Sequence, residues 1–234
     1  MKNAAIIVAA GLGKRFWNIT SGKNERKVPK QFLDLNGKPV FLWSAETFAS
    51  IKSFRQIIVA VPSDMLEALS LKYGMGLIFA SGGGERFDSV KNALAVVEED
   101  IDFIAVHDAA RPLITREDIL AVLRSAEKTK AAIAVEKAKD TVKVVTADDR
   151  YILKTLDRAV LRNAQTPQIF ENGILKRAYR EKMSVNATDD SQLVENLKIR
   201  VSAVETKFPN FKITTKQDLE LAAAVMTFRS NISG

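Results

Sequence analysis

The chain has 234 residues, with 35 lysines and arginines against 28 aspartates and glutamates (formal charge +7), one histidine and no cysteine. That length and a hydrophobic share of 47% suit a single domain with an ample core, while the missing cysteines exclude disulfides and thiolate metal sites. No apolar run approaches the roughly 18 residues of a membrane helix, the N-terminus lacks a signal-peptide core, and the scattered basic residues carry no basic–aromatic motif, which together predict a cytoplasmic protein that binds neither membrane nor nucleic acid.

The elements alternate along the chain. "AAIIVAA" (4–10) is a near-continuous apolar run, as expected of a parallel strand covered on both faces. It runs into "GLGKRF". A helical pattern follows in "FLWSAETFAS" (41–50), then a strand in "QIIVAVP" (56–62) and a helix in "SDMLEALSLKY" (63–73). "GLIFA" (76–80) is the third strand, and "SGGGERFDSV" leads into the helix "DSVKNALAVVEE" (88–99). "IDFIAVHD" (101–108) is the fourth strand. "TREDILAVLRSAEKT" (115–129) opens with Thr115 and Asp118 at capping-box spacing. "AAIAVE" (131–136) is the fifth strand. Residues 139–158, "KDTVKVVTADDRYILKTLDR", alternate about a polar turn and predict a β-hairpin. With few large apolar groups it should pack on something, and an arm reaching to a second subunit fits. A last helix, "TKQDLELAAAVMTF" (215–228), repeats the cap signature with Thr215 and Asp218. The alternation predicts one doubly wound α/β domain over 1–234, with its ligand beyond the carboxyl ends of the strands.

Four stretches carry candidate chemistry. The first strand delivers the chain into Gly11, Gly13, Lys14 and Arg15. This is neither a dinucleotide fingerprint, because the third glycine is replaced, nor a P-loop, because no Lys-Ser/Thr pair follows at the required spacing. Exposed backbone N–H groups and two cations suit phosphate oxygens; a tight turn with a solvated basic pair is the plainer alternative. Lys30 follows Pro29, which stiffens the chain before it; a loop lysine of this kind is ordinarily solvent-facing, and the alternative is that it pairs with Arg15 to close over a polyphosphate. Three glycines before Arg86, Asp88 and Ser89 allow a ligand close to the backbone, with Asp88 or Ser89 also suited to N-cap the helix. His107-Asp108 ends a strand at the ligand edge, with Arg111 one turn on. His107 is read as a packed, hydrogen-bonded residue without a catalytic role. Asp108 suits a metal–nucleotide complex or a hydroxyl, or a salt bridge to Arg111.

In order along the chain, "AAGLGKRF", "PKQFL", "GGGERFDSV", "VHDAARP", "KDTVK", "LDR", "QTPQIF", "ATDDSQLVE" and "NFKITTKQDLELA" resemble the 2-C-methyl-D-erythritol 4-phosphate cytidylyltransferases over nearly the whole length. The resemblance implies a Rossmann-like nucleotidyltransferase fold, dimeric, with residues 139–158 as a β-arm embracing the partner. It implies transfer of CMP from CTP to methylerythritol phosphate, with Mg2+, in non-mevalonate isoprenoid precursor synthesis. It further implies that Arg15, Lys30, Arg158 and Lys212 are catalytic. Ala9, Ala10, Gly11, Gly13, Lys14, Gly83, Arg86, Ser89 and Ala109 are then nucleotide-binding. Asp108, Arg111, Thr141, Thr166 and Asp189 serve the second substrate, with Thr141 and Arg158 completing the site of the other subunit. The metal ligands stay open: Asp108, or only phosphates and water. Two departures are visible. The stretch between Arg15 and Lys30 is long, and Gly84 stands where the family commonly has an acid. The alternatives are a ribitol-5-phosphate cytidylyltransferase or another sugar-phosphate nucleotidyltransferase; "HDAARP" and "DSV" favour the erythritol enzyme.

Overall fold

The structure is a computed structural model that describes residues 1–11, 28–181 and 187–233. In chain order its strands are β1 (Asn3–Val8), β2 (Asp34–Leu35), β3 (Lys38–Pro39), β4 (Phe54–Val61), β5 (Ile78–Ser81), β6 (Phe103–Asp108), β7 (Ala131–Lys137), β8 (Lys143–Val145), β9 (Ile152–Thr155), β10 (Arg162–Glu171) and β11 (Ser202–Glu205). The α-helices are α1 (Val40–Ala49), α2 (Leu66–Tyr73), α3 (Arg86–Leu94), α4 (Arg116–Thr129), α5 (Asn172–Glu181), α6 (Asp190–Asn196) and α7 (Lys216–Ser233).

Seven strands form one sheet in the order β11-β7-β10-β6-β1-β4-β5. The chain steps outward from β1 to β4 and β5, then returns to place β6 on the other side of β1. All neighbours are parallel except that β10 runs antiparallel to both β6 and β7. The sheet is therefore mixed, mostly parallel, with helices on both faces. Alternation along β1 shows why its sequence is apolar throughout. Ala5 and Ile7 join Phe41, Phe48 and Val122 of α1 and α4 on one face. Ala4 and Ile6 join Val90, Leu175 and Val194 of α3, α5 and α6 on the other. A smaller cluster of Leu35, Val40, Leu113, Ile213 and Ala222 packs beneath α7.

Local chemistry fixes the ends. Asn36 and Gly37, with φ of 51° and 88°, turn β2 into β3. Thr115 caps α4 by accepting from the Asp118 N–H at 3.1 Å, as its spacing predicts. Asp218 N–H donates likewise to Thr215 Oγ1 at 3.2 Å. The start of α3 differs from expectation. Glu85 is the N-cap, and Asp88, one turn in, accepts from the Glu85 N–H at 3.1 Å. Ser89 lies inside the helix.

Residues 139–158 do form a hairpin, with β8 and β9 antiparallel about a turn at Asp149 (φ 60°). Every residue of β9 is exposed, and Tyr151, Ile152 and Leu153 are 70%, 64% and 63% exposed. Within its own chain most of this apolar surface stays open. Among the described residues no helix is long and apolar enough to cross a membrane.

Candidate active site

A cavity of about 800 Å³ opens at the carboxyl ends of β1, β4, β5 and β6. This is where the strand order reverses about β1, the crevice at which open α/β sheets take their ligands. Ala10 and Gly11 form one wall, Gly82, Gly83 and Gly84 the facing wall, and Lys30, Arg86, Ser89, Asp108 and Lys212 reach it from the sides.

The two glycine walls are close for a steric reason. A Cβ on Gly82 would lie 2.2 Å from Ala10 Cβ, and one on Gly83 would lie 2.2 Å from Asp88 Cβ. Ser89 Oγ accepts from the Gly83 N–H at 3.1 Å and donates to Glu85 O at 3.0 Å, tying the glycine turn to α3. Gly84 is different: its nearest neighbour would be Asp88 Oδ2 at 3.8 Å. Space does not require glycine there. Opposite, the buried Gln31 donates through Nε2 to Ala9 O at 2.5 Å and Gly11 O at 2.8 Å, holding the exit of β1 in shape. Gly13, Lys14 and Arg15 lie outside the described residues.

Asp108 is the electrostatic centre. Lys212 Nζ donates to its Oδ2 at 2.9 Å, Arg86 Nε to its Oδ1 at 3.4 Å, and Arg111 Nε lies 3.5 Å from Oδ2. Burial alone would raise its pKa. The charges of Lys212, Arg86 and Arg111 outweigh that and hold the carboxyl far below the usual carboxylate range. The salt bridge to Arg111 expected as the plain alternative is therefore present as one of three. Lys30 reaches the same place: its ammonium donates to Ile213 O, the residue after Lys212. Lys30, Arg86, Arg111 and Lys212 thus gather about Asp108 and the buried Asp190, while Asp64 and Glu85 line the outer part of the same cavity.

His107 lies behind this centre, fully buried. Its Nε2 faces Arg111 O at 3.1 Å, and its Nδ1 faces Thr166 Oγ1 at 3.1 Å. Thr166 Oγ1 also accepts the Asp108 N–H at 3.0 Å. In a neutral ring the proton then sits on Nε2, which donates to Arg111 O, and Thr166 donates to Nδ1. Burial pushes its pKa down to about 4, so the ring is neutral and fully engaged, as the sequence reading holds. Thr166 is 4% exposed and spends its hydroxyl on this scaffold rather than on the cavity.

Other expected residues fall in different places. Ala9 and Ala109, each 1% exposed, sit in the wall behind the cavity. Arg111 Nη1 donates to Asn210 O at 2.8 Å. Asp189 caps α6, accepting from Gln192 N and Ser191 Oγ at 3.0 Å each and from Gln168 Nε2 at 2.9 Å. The carboxylate that reaches Arg86 belongs to the next residue, Asp190, which accepts from Nη1 at 3.0 Å and Nη2 at 2.7 Å. Sequence reasoning misses Asp190, Gln31 and the Tyr179 hydroxyl 2.5 Å from Asp190. Thr141 and Arg158 are exposed on the hairpin, away from the cavity of their own chain. Arg158 Nη1 donates to Lys139 O at 2.7 Å.

Among the described residues no three carboxylate or imidazole groups converge, and both Asp108 oxygens already face cations.

A sequence model of the 2-C-methyl-D-erythritol 4-phosphate cytidylyltransferases matches residues 3–228. The chain belongs to this family. A family member from Endomicrobium trichonymphae is 71% identical over 226 residues, covering 97% of this chain and 99% of the relative. Another, from Caldanaerobacter subterraneus, is 36% identical over 95% of this chain and 97% of its own. Among solved structures, the Thermus thermophilus cytidylyltransferase superposes with a TM-score of 0.78 at 30% identity, covering 97% of this chain and 100% of that one. The Francisella tularensis enzyme gives 0.78 at 34% identity over 95% and 98%. Membership makes the chain a cytidylyltransferase.

Proposed function

We infer that this chain transfers CMP from CTP to the phosphate of 2-C-methyl-D-erythritol 4-phosphate. The products are 4-diphosphocytidyl-2-C-methyl-D-erythritol and pyrophosphate, a step of non-mevalonate isoprenoid precursor synthesis. The observation that carries the reading is the gathering of Lys30, Arg86 and Lys212 around Asp108 in one cavity of a family member.

The nucleophile is a phosphate oxygen, ionised at neutral pH, so no general base is required. That agrees with a sole histidine that is buried and neutral. The difficulty is the approach of one anion to another. Positioning and charge stabilisation then carry the reaction. Ala10, Gly11, Gly83 and Ser89 shape the nucleotide pocket, with Ala9 and Ala109 behind them. Gly13, Lys14 and Arg15 continue the same loop in this reading. Lys30 and Arg15 offset charge on the α-phosphate and the departing pyrophosphate. Lys212, oriented by Asp108, meets the acceptor phosphate, with Arg111 and Thr166 holding Asp108 and Asp189 supporting the neighbouring wall. Mg2+ would supply further neutralisation of phosphate charge when bound, with Asp108 as the side chain that would hold it or with phosphate oxygens and water alone doing so.

Thr141 and Arg158 fit a role in a second copy's site. The hairpin that bears them exposes Tyr151, Ile152 and Leu153 side by side, an apolar strip suited to a homodimer contact. Incubating the chain with CTP and either methylerythritol phosphate or ribitol 5-phosphate tests the substrate. Turnover of ribitol phosphate alone overturns the reading.

A further inference from the structure

We propose that Asp190, clamped by Tyr179, is a positioning residue that holds the Arg86 guanidinium in the cavity wall and keeps it from closing onto Asp108, so that Asp108 stays available to orient Lys212.

The geometry is specific. Both terminal nitrogens of Arg86 are taken by Asp190 in a bidentate fork, at 3.0 and 2.7 Å. Only Nε is left toward Asp108, at the longer distance of 3.4 Å. Lys212 holds the shorter bond to Asp108, at 2.9 Å. Asp190 is wholly buried, and the Tyr179 hydroxyl donates to its Oδ1 at 2.5 Å. Burial and the Asp190 charge raise the Tyr179 pKa, so this phenol remains a donor. The Tyr179 ring stacks on Phe87, with centroids 4.7 Å apart and planes at 14°. Phe87 is the residue after Arg86, so the clamp grips the same turn of α3 that carries the guanidinium.

The clamp is also tied to the strand beneath Asp108. Gln168 Nε2 donates to Asp189 at 2.9 Å, and its Oε1 accepts from Ser191 N at 2.9 Å, fixing the first turn of α6 on both sides of Asp190. Two residues earlier, Thr166 receives the Asp108 N–H. One strand, β10, thus sets the separation of the two carboxylates between which Arg86 is shared. Without Asp190 the fork's nearest anion is Asp108, already engaged by Lys212. A planar, always-charged guanidinium competes well for a carboxylate, and Lys212 loses its anchor.

This inference rests on the cytidylyltransferase reading, and the test separates the two. Pyrophosphate release by the wild-type chain with CTP and methylerythritol phosphate checks that reading. Asp190→Asn should lower kcat/KM roughly 10- to 100-fold per folded molecule, with a raised KM for the acceptor. Tyr179→Phe, which keeps the stack on Phe87, should act in the same direction and carries the test if Asp190→Asn folds poorly. In an Arg86→Met background either substitution should add less than about twofold. Losses that multiply in that background, or wild-type kcat and KM in both single variants, overturn the proposal while leaving the reading intact. A crystal structure of either single variant gives a readout independent of turnover. Arg86 should turn toward Asp108 and Lys212 Nζ should leave Oδ2; both side chains standing as before would refute it.

Discussion

Gly82→Ala is a sharp test of how the cavity walls are set. The added methyl would lie 2.2 Å from Ala10 Cβ and 3.0 Å from Val61 O. Carbon atoms in contact rest about 3.5–4.0 Å apart, so the two walls must separate by about 1.3 Å. The Gly82 N–H is held to Val61 O at 2.7 Å and Ala9 N–H to Ala60 O at 2.8 Å, so neither wall yields without straining the sheet edge. Overpacking of this kind costs about 1–3 kcal/mol of stability, a few degrees in melting temperature for a chain of this size. The larger effect should be on function. Misplacing reacting groups by about 1 Å lowers rates on the order of 100-fold. Gly84→Ala is the internal control, because its methyl meets only Asp88 Oδ2 at 3.8 Å. Steady-state pyrophosphate release, with CTP varied at fixed methylerythritol phosphate, measures both. If folded Gly82→Ala keeps kcat and the CTP KM within twofold of wild type, the steric account of the walls is wrong.

Four further outcomes are expected. Removing Lys212 as Lys212→Ala should cut turnover some hundreds-fold, about 3–4 kcal/mol of transition-state stabilisation, and a calorimetric scan should show a lowered melting temperature, because the buried Asp108 loses its 2.9 Å partner. Gln31→Leu strips the donor from Ala9 O and Gly11 O and should destabilise the loop by about 1–3 kcal/mol, read as a raised CTP KM; an unchanged KM would discount Gln31 as the loop's brace. Stability should fall as the pH drops from 7.5 to 5.0. His107 has a folded-state pKa of about 4 against about 6.5 unfolded, so below 6.5 the unfolded chain gains a proton that the native one refuses. Its share is about 2 kcal/mol at pH 5, visible in urea melts and missing from His107→Gln; Asp108, with its lowered pKa, stabilises above pH 4 and loses that contribution only below it. Finally, mixing Arg158→Ala with Lys30→Ala chains should restore activity if the hairpin completes the partner's site, and mixtures no better than either variant alone would count against that arrangement.

The parts legible in the sequence are those whose chemistry repeats. Continuous apolar runs mark β1, β4 and β6 because both faces of each strand are buried. The polar turn in the alternation of residues 139–158 marks the hairpin. β10 hides for the opposite reason. Its buried Gln165, Thr166 and Gln168 spend their polar groups on Asp108, Asp189 and Asn210 rather than on a hydrophobic face, so no apolar period betrays it. α5 has a readable stripe in Leu175, Ala178 and Tyr179, which a strand–helix alternation alone does not place. Asp108 and Arg86 announce themselves by lying beside turns that follow strands, and Lys30 by the proline before it. Asp190 does not. In "ATDDSQ" two acids are adjacent, and only the geometry tells which one caps the helix and which turns inward to Arg86.

The reversed direction of β10 has a consequence for how this protein can change. Arg162 of β10 sits opposite Lys137 of β7. A short turn would therefore suffice to close the sheet, whereas a parallel neighbour would demand a full crossover. Residues 138–161 are thus surplus to the sheet, an extrusion that can lengthen, shorten or change partner without moving a single core strand. They leave the sheet on the side of its parallel strands' carboxyl ends, the side that also bears Asp108. The fold thus offers a slot for trying out new contacts while its central strands stay fixed.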